Sequence, residues 1–147
     1  MGLPLSYRRV LDQTTKEGRV KTRIYESDEY NLPLGVDIGS TTVKVAVLDQ
    51  ENRILFSDYE RHYANIQETL AKLLKKAVSQ TGDILVIPVI TGSGGLTLSS
   101  HLHIPFVQEV VAVASSLQDY APQTDVAIEL GGEDAKIIIL PAESISA

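Results

Sequence analysis

The sequence contains no cysteine. Disulfides, a thiolate nucleophile, cysteine-ligated zinc and a thiolate-held iron–sulfur cluster are therefore excluded within this chain. Histidine is scarce as well. There are three, and none pairs with another at a zinc-ligand spacing, since His101 and His103 are separated by one residue. Positive charge is in deficit, with 13 basic against 19 acidic residues and a net charge of −6. Non-specific attraction to nucleic acid or to an anionic membrane rests on positive charge, so neither partner is expected. No apolar run approaches the ~20 residues needed to span a bilayer. Residues 1–13 carry no apolar stretch of signal-peptide type. A soluble, cytoplasmic protein is the expectation.

What is present is enough apolar material for a core. Hydrophobic residues make up 44% of 147 positions, which suits one domain of ordinary size. Residues 1–31 differ from the rest in being polar and charged. They read as an N-terminal extension, with one short strand over 22–25 and a turn over 26–31.

From residue 32 the pattern becomes regular. Residues 34–38, 43–48 and 53–60 are rich in strand-forming side chains and joined by short polar turns. Short connections make antiparallel neighbours, so a three-stranded meander is predicted. Residues 34–38 are almost continuously apolar, which predicts burial on both faces. The period then changes. Ile66, Leu70, Leu73, Leu74, Ala77 and Val78 recur on one helical face, with Asn65 and Glu68 as a capping box and Gly82 as a stop. Residues 83–90 read as a buried strand whose Pro88 interrupts pairing. A short helix to about His101, a brief strand over 104–107 and a helix over 109–120 follow. Residues 125–130 and 135–140 form a final hairpin with a glycine-rich tip. This order gives an α/β fold with a mixed sheet, three antiparallel strands followed by parallel strands with helices.

Two stretches carry chemistry. The first is Asp37-Ile-Gly-Ser-Thr-Thr-Val-Lys44. Gly39 lets a ligand approach the backbone, Ser40 and Thr41 add hydroxyls, and tip amides of this kind bind anions. Asp37 would repel phosphate unless a cation such as Mg²⁺ lay between them. Taken alone, the tip reads equally well as a polar hairpin turn. The second stretch, Glu129-Leu-Gly-Gly-Glu-Asp-Ala-Lys136, repeats the mechanics: acidic residue, glycine tip, lysine on the return strand. A pair of such tips separated by α/β structure is far less expected by chance than either one. Thr91-Gly-Ser-Gly-Gly95 is a lesser candidate. It follows a strand and opens a helix, as anion sites do, but it lacks the ending of a Walker loop. A plain strand-to-helix turn accounts for it at least as well. Glu109, at a helix start, reads first as a carboxylate favoured by the helix dipole.

The two hairpins resemble the phosphate-1 and phosphate-2 hairpins of the actin–Hsp70–sugar kinase superfamily. Their wording is most similar to the activator ATPases of 2-hydroxyacyl-CoA dehydratases and benzoyl-CoA reductases. Ile90-Thr-Gly-Ser-Gly94 and Glu109-Val-Val-Ala-Val-Ala114 resemble two further segments of that family, in the right order. Two positions depart from it. Glu133 stands where Gln is usual, and Ser93 stands where an aromatic is common.

The resemblance implies a ribonuclease H-like first lobe over residues 32–122. Residues 123–147 would be the opening hairpin of a second lobe whose remainder is not in this chain. Gly39, Ser40, Thr41, Gly131 and Gly132 would grip the phosphates of ATP or ADP, with Lys44 in support. Asp37 and Asp134 would hold Mg²⁺ and serve catalysis, with Gly92, Glu109, Glu133 and Lys136 as secondary residues. The family's cluster-ligating cysteine and adenosine-binding segments would lie beyond Ala147, so any Fe–S cluster is expected there and not in this chain. Implied partners are the remaining lobe and a CoA-thioester dehydratase or reductase component. The last two strands would pair with the first lobe or with another chain, which leaves a dimer open. ATP hydrolysis is expected of the intact protein rather than of this stretch in isolation. Two other readings stand beside this one: a non-catalytic scaffolding module, and part of a sugar or acetate kinase.

Overall fold

The computed structural model describes residues 10–14, 20–23, 31–132 and 134–140. In chain order the elements are β1 (Val10–Thr14), β2 (Val20–Arg23), β3 (Leu32–Ile38), β4 (Thr42–Leu48), β5 (Ile54–Arg61), α1 (Ile66–Thr81), β6 (Val86–Thr91), α2 (Gly95–Leu102), α3 (Glu109–Tyr120), β7 (Val126–Leu130) and β8 (Ala135–Ile139). They form a four-stranded sheet in the order β5-β4-β3-β6 and two separate two-stranded ribbons, β1-β2 and β7-β8. In the extension, the expected strand over 22–25 is β2, paired antiparallel with a strand that the sequence reading did not anticipate, β1. The expected turn over 26–31 falls almost wholly outside the described residues.

The predicted meander is present: β3 pairs antiparallel with β4, and β4 with β5. β3 also pairs in parallel with β6. The sheet is therefore mixed and the chain is α/β, as the residue pattern implied. Strand alternation sorts the side chains. Leu34, Val36 and Ile38 of β3 and Val43, Val45 and Val47 of β4 point to one face and are buried. Leu73 and Ala77 of α1 close over them. The helix starts as predicted, with the Asn65 side chain accepting from the Glu68 N–H and the Glu68 carboxylate accepting from the Asn65 amide. Val78, expected on the core face, is 55% exposed; the buried stripe is Thr69, Leu73 and Ala77 at strict four-residue spacing.

Burial of β3 on both faces is corrected by the structure. Pro33 and Gly35 are exposed and Asp37 is half-buried, because no element among the described residues seals the second face. α3 stands over that face without burying any of its own residues. A groove of about 950 Å³ lies between them, floored by Gly35 and Ala46 and walled by Val111 and Ser115.

β6 is also corrected. It starts at Val86 and only Ile90 is buried. It lies at the end of the sheet rather than within it, and pairing runs through Pro88 opposite Leu34. Ile90 turns its N–H outward to Pro105 O at 2.9 Å and accepts from Val107 N–H at 2.9 Å. Pro88 is two residues back and shares that phase, so its missing N–H faces the outer edge, where no ladder bond is lost. The brief strand expected at 104–107 is reduced to one parallel bridge, Phe106 to Ile90. Among the described residues no helix is long and apolar enough to cross a membrane.

Candidate functional site

The first tip is shaped by the end of β3 and the start of β4. Gly39 N–H donates to Thr42 O at 2.9 Å and closes the turn. Since Ile38 and Val43 face the core, the pleat sends Asp37 and Lys44 to the open face. They are direct cross-strand partners, and Lys44 Nζ lies 2.8 Å from Asp37 Oδ2. The hydrogen bond to Asp37 is the main reason the Lys44 pKa is raised; burial opposes it, and the fields of Asp37, Glu109 and Glu129 add to it.

On its other side Asp37 is registered with Thr91 of β6. Asp37 Oδ1 and Thr91 Oγ1 are both buried, and neither has a hydrogen-bond partner among the described residues. A buried carboxylate oxygen and a buried hydroxyl without partners are costly unless something supplies them. The sequence reading singled out Asp37, and named Thr91 only as the first residue of the lesser Thr91–Gly95 candidate, not for its hydroxyl. The available signal was position, because Thr91 ends a parallel strand beside the glycine tip.

The turn after β6 packs tightly on the same place. Gly92 has φ 91°, and a Cβ there would lie 2.4 Å from both Asp37 Oδ1 and Ile38 O. Gly94 N–H donates to Ile38 O at 2.8 Å. A Cβ on Gly94 would meet the Ile38 side chain at 2.9 Å, and one on Gly95 would meet that of Ile90 at 2.7 Å. Close backbone approach is thus sufficient reason for the glycine run, and Gly92 is part of the wall behind Asp37.

The second tip closes with Gly131 N–H donating to Asp134 O at 2.8 Å. It lies against the first. A Cβ on Gly132 would come 2.9 Å from Thr41 Oγ1 and 3.3 Å from Ser40 Oγ. Residues some ninety positions apart in the chain therefore meet tip to tip. Below the second tip, Lys136 Nζ lies 2.9 Å from Asp134, 3.1 Å from Glu129 and 3.2 Å from Glu109. The hydrogen bond to Asp134, then those to Glu129 and Glu109, push the Lys136 pKa well up. Glu109, read first as a helix-start carboxylate, is the link that ties α3 to the second hairpin. Glu133 lies outside the described residues.

The site thus gathers two lysines and four carboxylates, Asp37, Glu109, Glu129 and Asp134. That surplus of negative charge repels phosphate unless a cation joins it. Asp37, Thr91 and Asp134 offer hard oxygen donors of the kind Mg²⁺ takes. Among the described residues no three carboxylate or imidazole groups converge as a metal cage. The donor set fits a cation that takes its remaining ligands from water and phosphate.

No protein-family model matches the chain. It is 32% identical over 105 residues to an uncharacterized protein of Methanocaldococcus jannaschii, covering 71% of this chain and 42% of that protein. Its fold is similar to the crystal structure of (R)-2-hydroxyglutaryl-CoA dehydratase component A from Acidaminococcus fermentans. That match has a TM-score of 0.67 and 19% identity, over 76% of this chain and 43% of the other. It is also similar to the activator of the 2-hydroxyisocaproyl-CoA dehydratase from Clostridium difficile with bound ADPNP. There the TM-score is 0.63 and the identity 25%, over 75% of this chain and 41% of the other. The chain therefore spans less than half the length of each of these relatives. It has the fold of the corresponding part of the dehydratase activators.

Proposed function

We propose that this chain carries the phosphate-gripping part of an ATP-hydrolysing activator of a CoA-thioester dehydratase or related reductase. The observation that carries the reading is the meeting of the two tips, Gly132 against Ser40 and Thr41, with Asp37 and Asp134 beside them. The dehydratase activator with ADPNP bound, 25% identical over its matching part, supports the nucleotide.

On this reading residues 32–122 form one lobe and residues 123–147 belong to a second. Backbone amides at Gly39, Ser40, Thr41, Gly131 and Gly132 grip the phosphates of ATP or ADP from two sides, and Lys44 adds charge. Asp37 and Asp134 hold Mg²⁺ through water, with the Thr91 hydroxyl in reach of the same place. Bound there, the ion neutralises phosphate charge and completes the electrostatics on which phosphoryl transfer depends. Glu109 and Lys136 set the second jaw against the first, and Gly92 backs Asp37. Glu133 adds negative charge to the second tip. Parting of the jaws after hydrolysis is the motion that would be passed to an electron-accepting partner, and any Fe–S cluster belongs outside residues 1–147.

One observation favours a second reading. The tips touch, and each lysine already occupies a carboxylate, Lys44 on Asp37 and Lys136 on Asp134. A scaffolding module with little ATPase activity would look the same.

Calorimetric titration with Mg-ATP separates the two. Binding that weakens at least about tenfold, ~1.4 kcal/mol, in Asp37→Ala supports the first reading. Absence of binding by the unaltered chain supports the scaffold, and binding that survives Asp37→Ala removes Asp37 from the site.

A further inference from the structure

The segment between β5 and α1 is strained. Tyr63 has φ 45° and Ala64 has φ 67°, two consecutive non-glycine residues in left-handed backbone. Each such residue costs roughly 1–2 kcal/mol. A cost of that kind persists only where the surroundings over-determine it. Here it seats His62, which is 8% exposed, beneath the first tip.

Every polar group of His62 is engaged. Its backbone N–H donates to Thr41 O at 3.1 Å, and its carbonyl accepts from Asn65 N–H at 2.6 Å. Ring Nδ1 accepts from Ala64 N–H at 3.0 Å. Ring Nε2 lies 3.3 Å from Gly39 O. An amide N–H can only donate, so Nδ1 must present its lone pair and the ring proton sits on Nε2. Nε2–H therefore donates to the Gly39 carbonyl. In a trans peptide the carbonyl and the following N–H point in opposite directions. Fixing Gly39 C=O toward the imidazole aims the Ser40 N–H away from it.

We propose that His62 is a positioning residue for the phosphate-binding tip: its Nε2–H orients the Gly39–Ser40 peptide so that the Ser40 amide is presented to an anion. This rests on the nucleotide reading above. The strained segment holds the ring, the ring holds the peptide plane, and the peptide plane sets the donor. Helix α1, entered directly from this segment, thereby links the core to the tip.

Two substitutions divide the ring's roles. His62→Asn places an acceptor near Nδ1 but has no donor for Gly39. His62→Gln places a donor near Nε2 but gives up the acceptor for Ala64. The expected result is a crossed pattern. His62→Asn keeps the melting temperature near that of the unaltered chain and loses Mg-ATP affinity by roughly tenfold, the scale of one oriented hydrogen bond. His62→Gln melts earlier and binds Mg-ATP as the unaltered chain does. If both variants lose stability and affinity in proportion, the ring is packing and the proposal fails. The free protein supplies a readout independent of nucleotide: the Ser40 amide resonance should move in His62→Asn and stay in His62→Gln. Should the unaltered chain not bind Mg-ATP, the nucleotide reading falls while this resonance still decides whether His62 orients the peptide. An unmoved Ser40 signal in His62→Asn overturns the orientation outright.

Discussion

The two hairpins share a local design and differ in what lies behind them. In β3-β4 the apolar residues face the core and the charged pair Asp37–Lys44 faces out. In β7-β8 the polarity is reversed. The pair Glu129–Lys136 points inward to Glu109, while Val126, Ile128, Leu130, Ile137 and Ile139 form an exposed apolar face. Ile38 is 0% exposed, whereas Ile128 is 68% and Ile137 71% exposed. The first tip is held by a run of buried apolar residues, the second by one buried isoleucine, Ile138, and a lysine shared among three carboxylates.

The largest expected effect tests that contrast directly. Ile38→Ala should cost about 2–5 kcal/mol, as truncation in a closed core does. Leu130→Ala, at the matching place in the second hairpin and 78% exposed, should stay within about 0.5 kcal/mol. Urea midpoints decide, and equal losses would erase the distinction between the jaws. Gly92→Ala comes next. Its left-handed backbone and the 2.4 Å approach to Asp37 and Ile38 predict a loss of about 1–3 kcal/mol in thermal melts. Gly92 stands behind the first jaw only, so amide exchange in β7-β8 should not change.

A smaller effect is expected from Lys136→Met. Global stability should hold, but amides of Gly131 and Ala135 should exchange faster as the hairpin loses its tie to Glu109. Unchanged exchange there would mean that the ion pairs do not hold the second jaw.

The smallest effect is in pH dependence. Hydrogen bonds from Lys76 hold the Asp58 carboxyl below its usual pKa, and those from Lys72 and Lys76 do the same for Glu60. A depressed carboxylate stabilises the fold above its unfolded value, about 3.9–4.3, and loses that contribution as pH falls through its folded pKa. Acid should therefore loosen α1 from β5, on the side of the first jaw. The raised Lys136 contributes fully below about 10.4 and loses its contribution as pH rises through its folded pKa. Lys44 and Lys76, on the side of the first jaw, are raised in the same direction, and the larger rise at Lys136 makes its ties the last of the three to be lost in alkali. Exchange-detected mass spectrometry at pH 7 and pH 3 decides, and unchanged protection of α1 in acid would contradict the assignment.

Much of the fold was legible because its signals are local. The meander announced itself by short turns, and α1 by a capping box at Asn65 and a four-residue apolar period. The misplacements have one physical source. Val78 matched the apolar pattern but sits beyond the reach of the sheet. Burial of β3 on both faces failed because α3 stands off the second face. Pro88 misled because a proline forbids only the ladder on its own N–H side, and which side is open depends on strand order. At the site, Asp37, Lys44 and the glycine tips were visible as motifs. His62 was not, and Thr91 was visible only as the start of a glycine-rich turn, since the role of each depends on a neighbour distant in sequence.

Amino-acid order by itself determined the elements and the two acid–glycine–lysine tips, because dihedral preference, side-chain period and turn chemistry act over a few residues. Only the tertiary structure decided that Gly132 rests on Ser40 and Thr41, that Lys136 chooses Glu109 among its partners, and that His62 lies under Gly39. Those contacts join segments from about twenty to ninety residues apart, and their free energy exists only once the core has brought the segments together.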